Sequence, residues 1–166
     1  MLHRRQLALA VLAACVGTTL QAQEAVRDDG TTITWEGAIA SGRLVRTDNV
    51  NGEVRIVAGL HDRVVLKGTR IVRRGDGTLV RAEVVRRSDG GVTVCVLWPG
   101  QRCDEHGTRG SSRERSWRDL QVTMNLVLEV PAGAPIHAET VNGRVVVTQA
   151  TASVKAESVN GDVEID

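Results

Sequence analysis

The chain of 166 residues contains no tyrosine, no phenylalanine and only three tryptophans, although 42 % of its residues are hydrophobic. An aromatic core is excluded, and an interior built from Val, Ile, Leu and Ala favours thin β layers. Charge of one sign is not in excess either. Charged residues make up 25 % and the formal net charge is +1, which excludes a disordered polyelectrolyte and a strongly basic nucleic-acid binder. No window keeps a helical period. Also missing are a Ser, His and Asp arrangement, a paired-carboxylate motif and a glycine-rich phosphate loop in a suitable context, so neither an enzyme nor a cofactor is expected. The length suits one domain.

What is present begins with an address. His3, Arg4 and Arg5 precede an apolar stretch from Leu7 to Leu20 that is too short to span a bilayer with its flanks. This is the pattern of a secretory signal peptide over residues 1–22, cut after Ala22, leaving residues 23–166 as a single domain that is periplasmic or at the cell surface. Loss of Arg4 and Arg5 leaves 19 basic residues against 20 acidic. An alternative is a lipobox, Leu12-Ala13-Ala14-Cys15, with Cys15 lipidated and anchoring the chain. Export to an oxidising compartment makes Cys95 and Cys103 a disulfide closing a small loop. Together with His106 they could instead be three metal ligands, but three fall short of a structural zinc set, and no metal is assigned.

Alternation of apolar and polar residues recurs along the chain, at Val92, Val94 and Val96 and again from Leu120 to Val130. The dominant signal is repetition. Residues 136–147 align without a gap onto 154–165, an offset of eighteen, and 45–56 form a third copy. Each carries Val-Asn-Gly, and His137, Lys155 and Arg46 share one outward slot. Asn51-Gly52, Asn142-Gly143 and Asn160-Gly161 are expected to be corners that need positive φ, which Gly adopts freely and Asn tolerates. Two all-β architectures fit. In a β-solenoid, single-stranded and β-helix-like, the copies pair with each other eighteen residues apart. In an antiparallel sandwich of hairpins, each Asn-Gly closes a ribbon within its own copy. The aligned apolar positions, such as Val145 and Val163, favour the solenoid.

Between the copies, strands are expected over 63–67, 79–87 and 91–97, broken by turns at Arg74-Gly75-Asp76-Gly77 and Ser88-Asp89-Gly90-Gly91. A polar loop then runs from about 99 to 118, flanked by Trp98 and Trp117. It is the expected place for recognition, since loops on a rigid scaffold carry binding more often than strands do. The block from Arg63 to Arg87 is locally basic, and Arg73, Arg74, Arg86 and Arg87 are its candidate contacts to an anionic envelope ligand. The competing reading is a solvated strand face. Arg74-Gly75-Asp76 is a chance tripeptide of an Arg-rich turn. His61, His106 and His137 are scattered and expected at the surface.

The order of motifs then resembles a known family. Trp35-x-Gly37, Val50-Asn51-Gly52, Val92-Thr93-Val94-Cys95-Val96-Leu97-Trp98-Pro99, a Cys-containing polar loop, Leu126-x-Leu128-x-Val130-Pro131-Ala132-Gly133 and repeated Val-Asn-Gly coils are similar to the bacterial exported putative-adhesin family of β-strand repeats, related to the head-GIN type. The resemblance spans nearly the whole chain after the leader. It implies a solenoid-like fold at the cell envelope and an adhesin or envelope-contact role, with an envelope-stress or regulatory module as the alternative, and it brings no catalytic residues. The partner is unknown, an envelope polymer or another protein rather than nucleic acid. Asp162, Glu164 and Asp166 blunt an edge at the last copy that could pair with another copy of the chain.

Overall fold

Fifteen strands and one short 3-10 turn, Gly77–Leu79, make up the regular structure of the described residues. The computed structural model describes residues 23–59, 62–110 and 119–166. The leader, Cys15, His61 and Trp117 therefore lie outside the described residues. In chain order the strands are β1 (Gln23–Glu24), β2 (Arg27–Asp28), β3 (Thr32–Ala38), β4 (Val45–Asp48), β5 (Val54–Gly59), β6 (Arg63–Arg74), β7 (Arg81–Arg86), β8 (Val92–Leu97), β9 (Arg102–Asp104), β10 (Gly107–Arg109), β11 (Gln121–Pro131), β12 (Ile136–Asn142), β13 (Val145–Thr148), β14 (Val154–Asn160) and β15 (Val163–Ile165).

Each copy of the repeat gives one strand to each of two sheets. The first strands of the copies, β4, β12 and β14, lie in a six-stranded sheet of order β1-β7-β8-β4-β12-β14. The second strands, β5, β13 and β15, lie in a seven-stranded sheet of order β15-β13-β5-β11-β6-β3-β2. Both sheets are open and mixed. Copies pair in parallel with equivalent residues opposite: Ile136 with Val154 and Val45, and Val145 with Val163 and Val54. The eighteen-residue offset is thus the spacing of pairing partners in the last two copies, the first copy pairs with the second across 91 residues, and the Asn-Gly corners do not close hairpins. Two sheets facing each other are the layering that the sandwich alternative implies. Outside the copies, β7 and β1 add antiparallel strands to one sheet and β6, β3 and β2 to the other. A continuous solenoid is therefore not what the described residues form: they make two mixed sheets, with β9 and β10 as a separate two-stranded ribbon.

The alternation of sequence decides the faces, because side chains on a strand point to opposite sides in turn. On β11, Val122, Met124, Leu126, Leu128 and Val130 are buried, and the facing strands supply Val45, Val92, Val94 and Ile136 to the same core. Apolar columns run across the copies. Leu126, Val54 and Val145 are covered to 1 % exposure or less, whereas Val163 at the end of the column is 43 % exposed. With about 1.5–3 kcal/mol for each fully buried aliphatic side chain, the inner copies are held far more firmly than the last.

The corners correct one expectation. Among the corner residues only Gly52 has positive φ, at 127°; Gly143, Gly161 and the asparagines do not. Glycine is needed for close approach instead. A Cβ on Gly143 would lie 2.1 Å from the Gly52 carbonyl oxygen, and one on Gly161 1.9 Å from that of Gly143. The asparagines form a ladder. Asn160 Nδ2 donates to Asn142 Oδ1 at 2.9 Å, Asn142 Nδ2 to Asn51 Oδ1 at 2.7 Å, and Asn51 Nδ2 to the Val122 carbonyl at 3.5 Å. Behind it, Thr140 Oγ1 donates to the Gly52 carbonyl at 3.3 Å and Ser158 Oγ to the Gly143 carbonyl at 2.7 Å. These bonds satisfy the polar groups that a tight corner would otherwise leave unpaired.

Candidate binding surface

The outer face of the six-stranded sheet carries one polar residue per copy in each of two rows. Arg46, His137 and Lys155 make the first row, as the shared outward slot predicts, and Asp48, Glu139 and Glu157 the second. In-register parallel pairing brings like charges within about 5 Å of each other, and alternation between the rows neutralises them. Arg46 donates to Asp48 Oδ1 and to Glu139 Oε2, both at 2.9 Å. Lys155 Nζ lies 3.2 Å from Glu157 Oε2 and 3.9 Å from Glu139 Oε1. The Lys155 hydrogen bond holds the Glu157 carboxyl below its ordinary range.

His137 is not the isolated surface histidine expected from the sequence. Its Nδ1 lies 2.8 Å from Arg46 Nη1, which can only donate, so Nδ1 accepts. The neutral ring therefore carries its proton on Nε2, which lies 2.6 Å from Glu139 Oε1 but is not aligned for a hydrogen bond to it. His137, Glu139 and Glu157 do bring ligand atoms within 4.8 Å of one another. The two carboxylates already face Arg46 and Lys155, so the cluster is part of an ion-pair network.

Beside these rows lies the segment expected to be a polar loop over 99–118. Its described part is ordered: β9 and β10 pair antiparallel as a two-stranded ribbon, while residues 111–118 lie outside the described residues. The Cys95–Cys103 disulfide joins β8 to β9 as expected. The ribbon covers the outer side of β8, which explains why all six residues of that strand are buried, Thr93, Cys95 and Leu97 included. Glu105 is its second anchor. Its carboxylate accepts from the Ser88 amide at 2.8 Å and the Ser88 hydroxyl at 2.7 Å, and these bonds lower its pKa. Its carbonyl accepts from Thr93 Oγ1 at 2.9 Å. The far end is fixed where the Thr108 amide donates to Asp48 Oδ2 at 2.8 Å. Trp98, at the base of the ribbon, is buried at 4 % exposure. Between ribbon and copies runs a groove of about 280 Å³ lined by Asp48, Thr108, Glu139, Glu157, Val141 and Val159. Val159 is 74 % exposed.

The four arginines proposed from sequence do not form one site. Arg86 is bound to Glu24 at 2.6 Å and its guanidinium lies 5.5 Å from the centre of the Trp35 ring. Arg87 pairs with Asp89 at 3.2 Å and donates to the Glu105 carbonyl. Arg73 and Arg74 lie at the far end of β6, seven and eight residues beyond the level of Trp35, about 25 Å away along the strand. They are exposed and have no partner among the described residues. Asp76, in the same turn, is engaged by the Thr78 amide and hydroxyl at 2.9 and 2.6 Å. The groove was missed in the sequence; the eighteen-residue alignment that sets Glu139 opposite Glu157, both in outward slots, carries its signal.

No family model matches the sequence, and no curated protein does. Solved structures do resemble it. One is a putative cell adhesion protein from Clostridium sporogenes, 7 % identical, with a TM-score of 0.43 over 80 % of this chain and 60 % of that one. Another is a putative adhesin from Bacteroides fragilis, 12 % identical, with a TM-score of 0.44 over 81 % of this chain and 52 % of that one. The chain thus spans little more than half the length of these neighbours. No helix among the described residues is long and apolar enough to cross a membrane.

Proposed function

We propose that the chain is an exported, non-enzymatic β-repeat protein of the adhesin type, which makes contacts at the cell envelope through the outer face of its stacked copies. The observation that carries this reading is the disulfide-pinned ribbon beside a groove whose walls repeat from copy to copy. The Cys95–Cys103 bond fits an oxidising compartment. Charged residues at the groove are largely neutralised within the molecule, and its exposed apolar residues, Val141 and Val159, stand one copy apart. Such a surface suits a partner bound by shape and by apolar contact. In this reading the copies are the turns of a short solenoid, and their motif order supports membership of the envelope-repeat family. The test is binding of the purified chain to envelope fragments, comparing wild type with Val141→Ser/Val159→Ser. The reading expects binding that falls about tenfold in the double variant. Absence of binding, or equal binding by both, contradicts it.

A further inference from the structure

The stack places the same chemically labile dipeptide in every copy. Glycine is required because a Cβ would meet a backbone carbonyl of the neighbouring strand or corner, and the asparagine carboxamide donates to one copy while accepting from the next, as Asn142 does. Asn-Gly is also the pair in which the following backbone nitrogen reaches the side-chain carbonyl with least steric hindrance, since glycine has no Cβ. Two bonds oppose that attack wherever a further copy is stacked on the corner. The Gly52 amide donates to the Asn142 carbonyl at 2.8 Å, and the Gly143 amide to the Asn160 carbonyl at 3.2 Å. The Oδ1 atoms of Asn51 and Asn142 accept from the next asparagine. At the third corner neither bond exists: the Gly161 amide and Asn160 Oδ1 have no partner among the described residues, and both residues are exposed.

We propose that Asn160-Gly161 is a site of spontaneous covalent modification, deamidation through a cyclic imide, and that stacking protects Asn51-Gly52 and Asn142-Gly143 from the same fate. The Gly161 nitrogen forms a bond to Asn160 Cγ and loses its proton, the bond from Cγ to Nδ2 breaks, and ammonia leaves. Solvent water then opens the imide at either carbonyl, giving aspartate or isoaspartate at position 160. No electron transfer is involved. The product carries a carboxylate where Asn160 donated to Asn142 Oδ1, so two acceptors face each other and the last rung of the ladder is lost. Modification at this position therefore loosens residues 154–165 and leaves the inner copies in place.

The test is incubation of the folded chain at mildly alkaline pH, with amide-to-acid conversion followed by mass spectrometry in the tryptic peptides 47–55, 119–144 and 156–166. The urea-unfolded chain gives the reference rates for the three sequences. The expected result is conversion at Asn160 about tenfold or more faster than at Asn51 and Asn142 in the folded chain, a factor set by the net worth of the bonds absent at the last corner. In urea the three rates converge. Equal rates in the folded chain, or an Asn160 as slow as the other two, overturn the proposal. Asn160→Asp supplies the second readout: faster amide hydrogen exchange over 154–160 with β4 unchanged is expected, and unchanged exchange over 154–160 contradicts the predicted loss of the rung.

Discussion

Asn142 Nδ2 donates to Asn51 Oδ1 across 2.7 Å, joining two corners 91 residues apart in the chain. The same carboxamide accepts from Asn160, so Asn142 is the middle rung of a ladder that crosses all three copies. Asn142→Ala should cost about 1–2 kcal/mol, the net worth of two partly solvated hydrogen bonds. Asn142→Asp should cost more, because a carboxylate cannot donate to Asn51 Oδ1. Urea unfolding midpoints of the two variants check the order, and equal midpoints would contradict a donor role.

Gly143 and Gly133 separate the two reasons for a glycine, close approach and positive φ. Gly133 has φ 76° and open space around its Cβ position, so Gly133→Ala costs only backbone strain, roughly 1 kcal/mol. At Gly143 the new methyl would lie 2.1 Å from the Gly52 carbonyl oxygen. Backbone cannot give way there without parting the copies, and Gly143→Ala should cost upwards of about 3 kcal/mol. Thermal unfolding of both variants is the measurement.

The Cys95–Cys103 bond closes a loop with a sequence separation of 8. Chain-entropy arguments give such a loop about 2–3 kcal/mol. Because the ribbon is also held through Glu105 and Asp48, Cys95→Ser/Cys103→Ser should leave the sheets folded while hydrogen exchange rises over 102–109. Global unfolding of the double variant at room temperature would show instead that the ribbon is part of the core.

Asp28 and the buried Arg70 pair at 2.5 Å, which ties β2 to β6. Arg70 hydrogen bonding is the main cause that lowers the Asp28 carboxyl below its ordinary value. The stabilisation is complete above the unfolded-state pKa of about 3.9 and drains away as pH falls below it through the lower folded value. Asp28→Asn should remove that acid dependence and cost about 2 kcal/mol at neutral pH, since Arg70 keeps the Gly30 and Val80 carbonyls as acceptors. Stability curves between pH 2 and 7 compare the two chains.

Much of the architecture was legible because the repeat shows its period directly. Val145 and Val163 predict their own pairing, and the outward slot of Arg46, His137 and Lys155 follows from alternation. What the pattern concealed is physical. Asn-Gly serves equally as a hairpin turn and as a stacking corner, and only the neighbouring carbonyl, contributed from 91 residues away, tells them apart. The parallel pairing of β8 with β4 carries no Val-Asn-Gly on the β8 side, so nothing local announces it. The arginines are a similar case: Arg86 and Arg87 are near Arg73 and Arg74 in the chain, but folding brings Arg86 to Glu24, 62 residues away, and Arg87 to the Glu105 carbonyl, while Asp89 is a local partner of Arg87. In the polar loop, the order of residues 102–109 comes from the disulfide and from Asp48 and Ser88 beneath it.

Parallel stacking of the copies is the central claim, and backbone NOEs in the isotopically labelled chain test it most directly. The account predicts interstrand contacts between Ala138 and Ala156 and between Val145 and Val163. Contacts across each Asn-Gly within one copy, pairing Thr140 with Val145 and its neighbours, would contradict it.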